Sequence, residues 1–110
     1  MEMIKVSANS RTSAVAGAIA GVIREHKRAD VQAIGAGAVN QAVKALVLAT
    51  GYLRNDGIDI CCVPEFVDVE IDDKVRTAIK LVVEVWTPVS SVPTSTIPES
   101  TAPENSLTDM

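Results

Sequence analysis

Residues 31–46 constrain the fold more than any other part of this chain. Val31, Ala33 and Ile34 make a short apolar run, Gly35 and Gly37 punctuate it, and Val39, Val43, Leu46 and Val47 then recur at helical spacing. A buried strand therefore feeds a helix through a glycine turn, and a β-α unit sits in the middle of the chain. The same spacing puts Asn40 and Lys44 four residues apart on one helix face, with Gln41 beside them. The glycines do not make a nucleotide loop. The dinucleotide pattern needs a glycine at 40, where Asn40 stands, and no Gly-Lys-Ser/Thr follows. A tight turn with close helix packing is the expected role, with a weak anion site at the helix N-terminus as the alternative.

The flanking pattern supplies the other elements. Ile4, Val6 and Ala8 alternate with Lys5 and Ser7, a strand over 3–8. Asn9, Ser10, Thr12 and Ser13 offer N-caps. Val15, Ala18, Ile19, Val22, Ile23 and His26 follow helical spacing over 12–27. The second strand is expected at 31–35. The second helix is expected at 38–51, with Val39, Val43, Leu46 and Val47 inward and Gly51 as its C′ residue. Asn55-Asp56-Gly57 is a turn signal. Ile58, Ile60 and Cys62 alternate, then parity switches after Pro64 to Val67, Val69 and Ile71, which predicts a bend or bulge. Asp72-Asp73 reads as a hairpin turn, followed by a strand with Ile79, Leu81, Val83 and Val85 inward. The order is β-α-β-α-β-β with a long terminal hairpin.

Composition divides the 110 residues. Residues 1–87 carry all 10 Lys and Arg and 11 of the 14 acidic residues, enough chain for one core without disulfides or metal. Residues 88–110 have no basic residue, and Pro88, Pro93, Pro98 and Pro103 recur every five residues among Ser and Thr. A domain at 1–87 and an extended or disordered tail at 88–110 are expected. Within the domain, residues 1–54 hold 7 basic and 3 acidic side chains, and residues 55–87 hold 3 and 8. Such a split marks a polyanion-facing side or an unselected partition of surface charge.

Chemistry has little to build on. Cys61 and Cys62 are neighbours that a strand points to opposite faces, and His26 is the single histidine, so neither a structural disulfide nor a zinc site is expected. His26 suits a helix C-terminus. Ser10 and Ser13 lack a triad context, and Asp68, Glu70, Asp72 and Asp73 read as a solvated hairpin face. The chain is read as non-enzymatic and free of cofactors. It has no signal-length apolar run at its start and no stretch near the ~20 apolar residues of a membrane span, so a cytoplasmic protein with no membrane partner is expected. Tyr52, Phe66 and Trp86 form no base-stacking array.

Amides and cations suited to phosphate and sugar contacts do gather. Asn9 and Arg11 lie in the first loop, Asn40 and Lys44 on the second helix, and Arg76 on the last strand with Lys80. An ordinary solvated face is the competing reading.

Four runs carry a resemblance. They are Lys5-Val6-Ser7-Ala8 with Ser13-Ala14-Val15-Ala16-Gly17-Ala18, the central Gln32 to Ala45 run, and Arg76-Thr77-Ala78-Ile79-Lys80-Leu81. Over residues 2–86 the chain resembles the stage V sporulation protein S family, of the Alba-like superfamily. The resemblance implies an α+β, Alba-like fold: a four-stranded mixed sheet with two helices on one face. It also implies a regulator of sporulation or development and a homo-oligomer, dimer or tetramer. Alba-like proteins often bind DNA or RNA as dimers through the first loop, the start of the second helix and the terminal hairpin. Carried onto this chain, the nucleic-acid-binding residues are Asn9, Arg11, Asn40, Lys44 and Arg76. One departure matters: the first loop holds only Arg11, and Asp72-Asp73 at the hairpin tip repels phosphate. Binding is therefore expected to be weak and salt-sensitive. A protein-interaction regulator on the same scaffold, without nucleic-acid binding, is the alternative.

Overall fold

The structure is a computed structural model that describes residues 3–87. The tail expected at 88–110 lies outside the described residues. The elements are β1 (Met3–Val6), α1 (Thr12–His26), β2 (Arg28–Ala33), α2 (Ala36–Arg54), β3 (Ile60–Ile71) and β4 (Lys74–Val85). One sheet has the order β1-β2-β4-β3, with β1 and β2 parallel and the other pairs antiparallel. Both helices cover one face. The element order and terminal hairpin are those the pattern predicts, and the four-stranded mixed sheet with two helices is the one the resemblance implies.

The core lies between that face and the helices. Val6, Ala29, Val31, Ala33, Leu81 and Val83 from the sheet meet Ile19, Ile23, Ala42, Ala45, Ala49 and Leu53 from the helices. Each fully buried Ile, Leu or Val contributes about 1.5–3 kcal/mol.

Several boundaries move, each for a local reason. Helix α1 begins after Arg11, which has extended backbone and no side-chain cap bond. The Ser10 hydroxyl instead accepts the Ser7 N–H at 2.9 Å and closes the loop, so none of the expected caps acts on α1. His26 is the last residue of α1, as expected. Lys27 follows in the left-handed region, its N–H donating to the Ile23 carbonyl. Strand β2 therefore starts at Arg28, three residues earlier than expected. Its alternation of Ala29, Val31 and Ala33 against Arg28, Asp30 and Gln32 is muted in sequence because two inward residues are only alanine.

Helix α2 runs past Gly51 to Arg54. Its C′ glycine is Gly57, with φ 75°. The Ile58 N–H donates to the Leu53 carbonyl and the Gly57 N–H to the Arg54 carbonyl, the paired bonds of a Schellman motif. The inward face also differs from expectation. Ala38, Ala42, Ala45, Ala49 and Leu53 are buried, whereas Val43 and Val47 are 47% and 67% exposed and Val39 and Leu46 half-buried. Alanine and valine stripes share the helical period. The alanine stripe faces inward because only small side chains let α2 lie close to its neighbours.

Pro64 causes no bulge. β3 and β4 pair without interruption from Ile60↔Val85 to Ile71↔Lys74. The Trp86 N–H donates to the Asp59 carbonyl, so alternation puts the hydrogen-bonded pairs at odd positions of β3. The missing N–H of Pro64 therefore falls on the open edge of an edge strand, where it costs no ladder bond. Asp72 and Asp73 both have positive φ, 52° and 65°, as a two-residue type I′ turn requires.

Candidate functional site

Only residues 79–84 of β4 pair with β2. The rest of the hairpin extends past the C-terminal ends of β1 and β2. The loop after β1 and the N-terminus of α2 lie at that same end. Gly35 makes the turn into α2 with φ 92° and ψ 156°, a region open essentially to glycine alone. Gly37 lets the first loop approach: a Cβ there would stand 3.0 Å from the Ala8 Cβ.

Gln41 fastens this junction. Its side-chain amide donates to the Ser10 carbonyl at 2.8 Å and to the Thr12 hydroxyl at 3.2 Å. The sequence places Gln41 among the polar contacts beside Asn40. The structure turns it inward as a brace between loop and helix, a role without a sequence signal because the partner lies 31 residues away. Asn9 and Arg11 are exposed on the braced loop, and Asn40 and Lys44 are exposed on α2. These four belong to adjoining segments. Arg76 comes from the same end of the molecule but projects from the helix-free face of the sheet.

The charges there are unneutralised. Arg24, Arg28, Arg54 and Lys80 pair with Asp56, Asp30, Asp59 and Glu65 at 2.7–3.4 Å. Among the described residues Lys5, Arg11, Lys27, Lys44, Lys74 and Arg76 make no ion pair. Neither helix carries an acidic residue in its first turn, so both helix N-termini keep their partial positive charge beside Arg11 and Asn40. The distal half of the hairpin separates its charges by pleat: Lys74 and Arg76 lie on the helix-free face, Asp68 and Glu70 on the other, and Asp72 and Asp73 at the tip.

Cys61 and Cys62 are free and exposed on β3. Partial burial, and secondarily the neighbouring Cys61, push the Cys62 thiol above the usual range. Among the described residues no three His, Cys, Asp or Glu side chains group as metal ligands, and no helix is long and apolar enough to cross a membrane.

The exposed side chains named at this end are amide and cationic donors. In a comparison with known families, the family described as Stage V sporulation protein S matches residues 2–86.

Proposed function

The chain belongs to the stage V sporulation protein S family, a family of sporulation regulators, and from that premise we propose that it is a non-enzymatic, cytoplasmic regulator that binds nucleic acid weakly as a dimer. The observation that carries this reading is that unpaired Arg11 and Lys44, with Asn9 and Asn40, stand exposed on the loop before α1 and on the first half of α2, at the end of the molecule where both helices begin. Amide and cationic groups so placed contact phosphate and sugar rather than base edges. Arg76 extends the surface around the sheet edge, and the tip aspartates limit its affinity.

Titration with DNA and RNA at low and raised salt tests this. Arg11→Ala and Lys44→Ala should each weaken binding across all sequences and lower the salt slope by about 1. No binding of DNA or RNA at low salt would sink the reading.

A second reading rests on the exposed apolar side chains of α2, Val43, Val47, Leu48 and Tyr52. They suit a protein partner, and a stable partner recovered after nuclease digestion would favour a protein-interaction regulator without nucleic-acid binding.

A further inference from the structure

The helix-free face holds a cleft that the phosphate-contact surface does not use. It has a volume of about 340 Å³ and is lined by Lys5, Val6, Ser7, Ala8, Gln32, Ile34, Val69, Glu70 and Ile71. The hairpin curls to form it. Val69 and Ile71, from the distal half of β3, share the cleft with Lys5 and Gln32 of β1 and β2, although β4 lies between in the sheet order. The same curl explains why Ala78 is buried on the face that carries no helix.

Register shows which groups are available. Lys5, Gln32, Lys80 and Glu65 form one cross-sheet row. Lys80 and Glu65 satisfy each other at 3.2 Å. Lys5 has no carboxylate partner among the described residues, and the half-buried Gln32 amide has no hydrogen-bond partner there. The cleft thus combines an unpaired ammonium, an amide able both to donate and to accept, and aliphatic walls from Ile34, Val69 and Ile71.

Each group narrows the ligand. An inorganic anion satisfies Lys5 but leaves the aliphatic walls and the amide unused. A hydrocarbon leaves Lys5 and Gln32 unpaired. A nucleobase joined to a phosphate answers all of them. Glutamine pairs with the donor–acceptor edge of a base, and lysine takes the phosphate. The volume lies at the small end of the ~300–1,000 Å³ range of ligand sites, room for one nucleotide unit.

We propose that this cleft binds a single unpaired nucleotide unit, with Gln32 on the base edge, Lys5 on the phosphate and Val69 and Ile71 against the base. This deepens the nucleic-acid reading, on which it rests: the strand that lies on Arg11 and Lys44 inserts one base here. A base within a duplex has its edge occupied and does not enter.

The test is NMR of the full chain, following the Gln32 side-chain amide and the Val69 and Ile71 methyl groups. The probes are short single-stranded oligonucleotides, a duplex of equal length, the nucleoside monophosphates and inorganic phosphate. Single strands and monophosphates should move these signals, and the duplex should not. Gln32→Leu should weaken single-strand binding about tenfold and leave duplex binding unchanged. If every nucleic acid moves only signals near Arg11 and Lys44, the base site is overturned and the nucleic-acid reading stands. If monophosphates alone move the cleft and no oligonucleotide binds, the cleft stands as a free-nucleotide site and the nucleic-acid reading falls. Cleft signals that stay still throughout, or that inorganic phosphate moves equally, overturn the inference.

Discussion

Gly35 holds the junction between β2 and α2 in a backbone region that side chains avoid, with open space around it. Gly35→Ala therefore tests backbone strain without a steric clash. It should cost about 1–3 kcal/mol, read by chemical denaturation. Gln41 acts differently: it holds Ser10 and Thr12 and thereby fixes the loop that carries Arg11 against α2. At Cys62 the folded chain favours the protonated thiol, because partial burial, and then Cys61, raise its pKa. The sign follows: its contribution to stability is full below the ordinary thiol pKa and is lost as pH rises through the raised value. In a Cys61→Ser variant, alkylation of Cys62 near pH 8–9 should be slower than in the denatured chain, measured by mass spectrometry. These residue types were visible in the sequence. Their partners were not, since Gln41 to Ser10 spans 31 positions and burial is a property of the packed sheet.

Helix α2 shows how an element reads ambiguously. Its alanines at 38, 42, 45 and 49 and its valines at 39, 43 and 47 both fit the helical period, and hydropathy favours the valines. Close packing reverses that order. Leu53→Ala should cost about 2–5 kcal/mol, and Val47→Ala should stay within about 0.5 kcal/mol, in equilibrium unfolding. A large loss at Val47 would contradict the packing described. The helix end illustrates the same limit: Gly51 and Gly57 were both available as terminators, and the Schellman bonds select Gly57. In β3, the parity switch at Pro64 looked like a bend. The strand stays regular and its even positions face the helix side throughout, but the helices cover only its first part. Farther out, Phe66 and Asp68 share that side in the open.

At the scale of the molecule, that uncovered side is the surface to test for self-association. Phe66 is 77% exposed and lines a shallow apolar groove with Pro64, Glu65 and Ile79. With Pro64 interrupting the donors along the open edge of β3, contact between faces is favoured over strand-to-strand pairing. For the dimer proposed above, Phe66→Glu should shift the mass toward the monomer in light scattering; an unchanged mass would remove this face as a self-association contact. The sequence by itself determined the element order, the hairpin turn at Asp72-Asp73, the absence of a nucleotide loop and the family to which the chain belongs. All of these depend on residues near one another or on a run of identities. Only the tertiary structure decided which stripe of α2 is buried, how the pleat separates Lys74 and Arg76 from Asp68 and Glu70, and that the curled hairpin brings Val69 and Ile71 to Lys5 and Gln32. Those outcomes depend on distant segments competing for one packed surface, and local periodicity carries no information about which one wins.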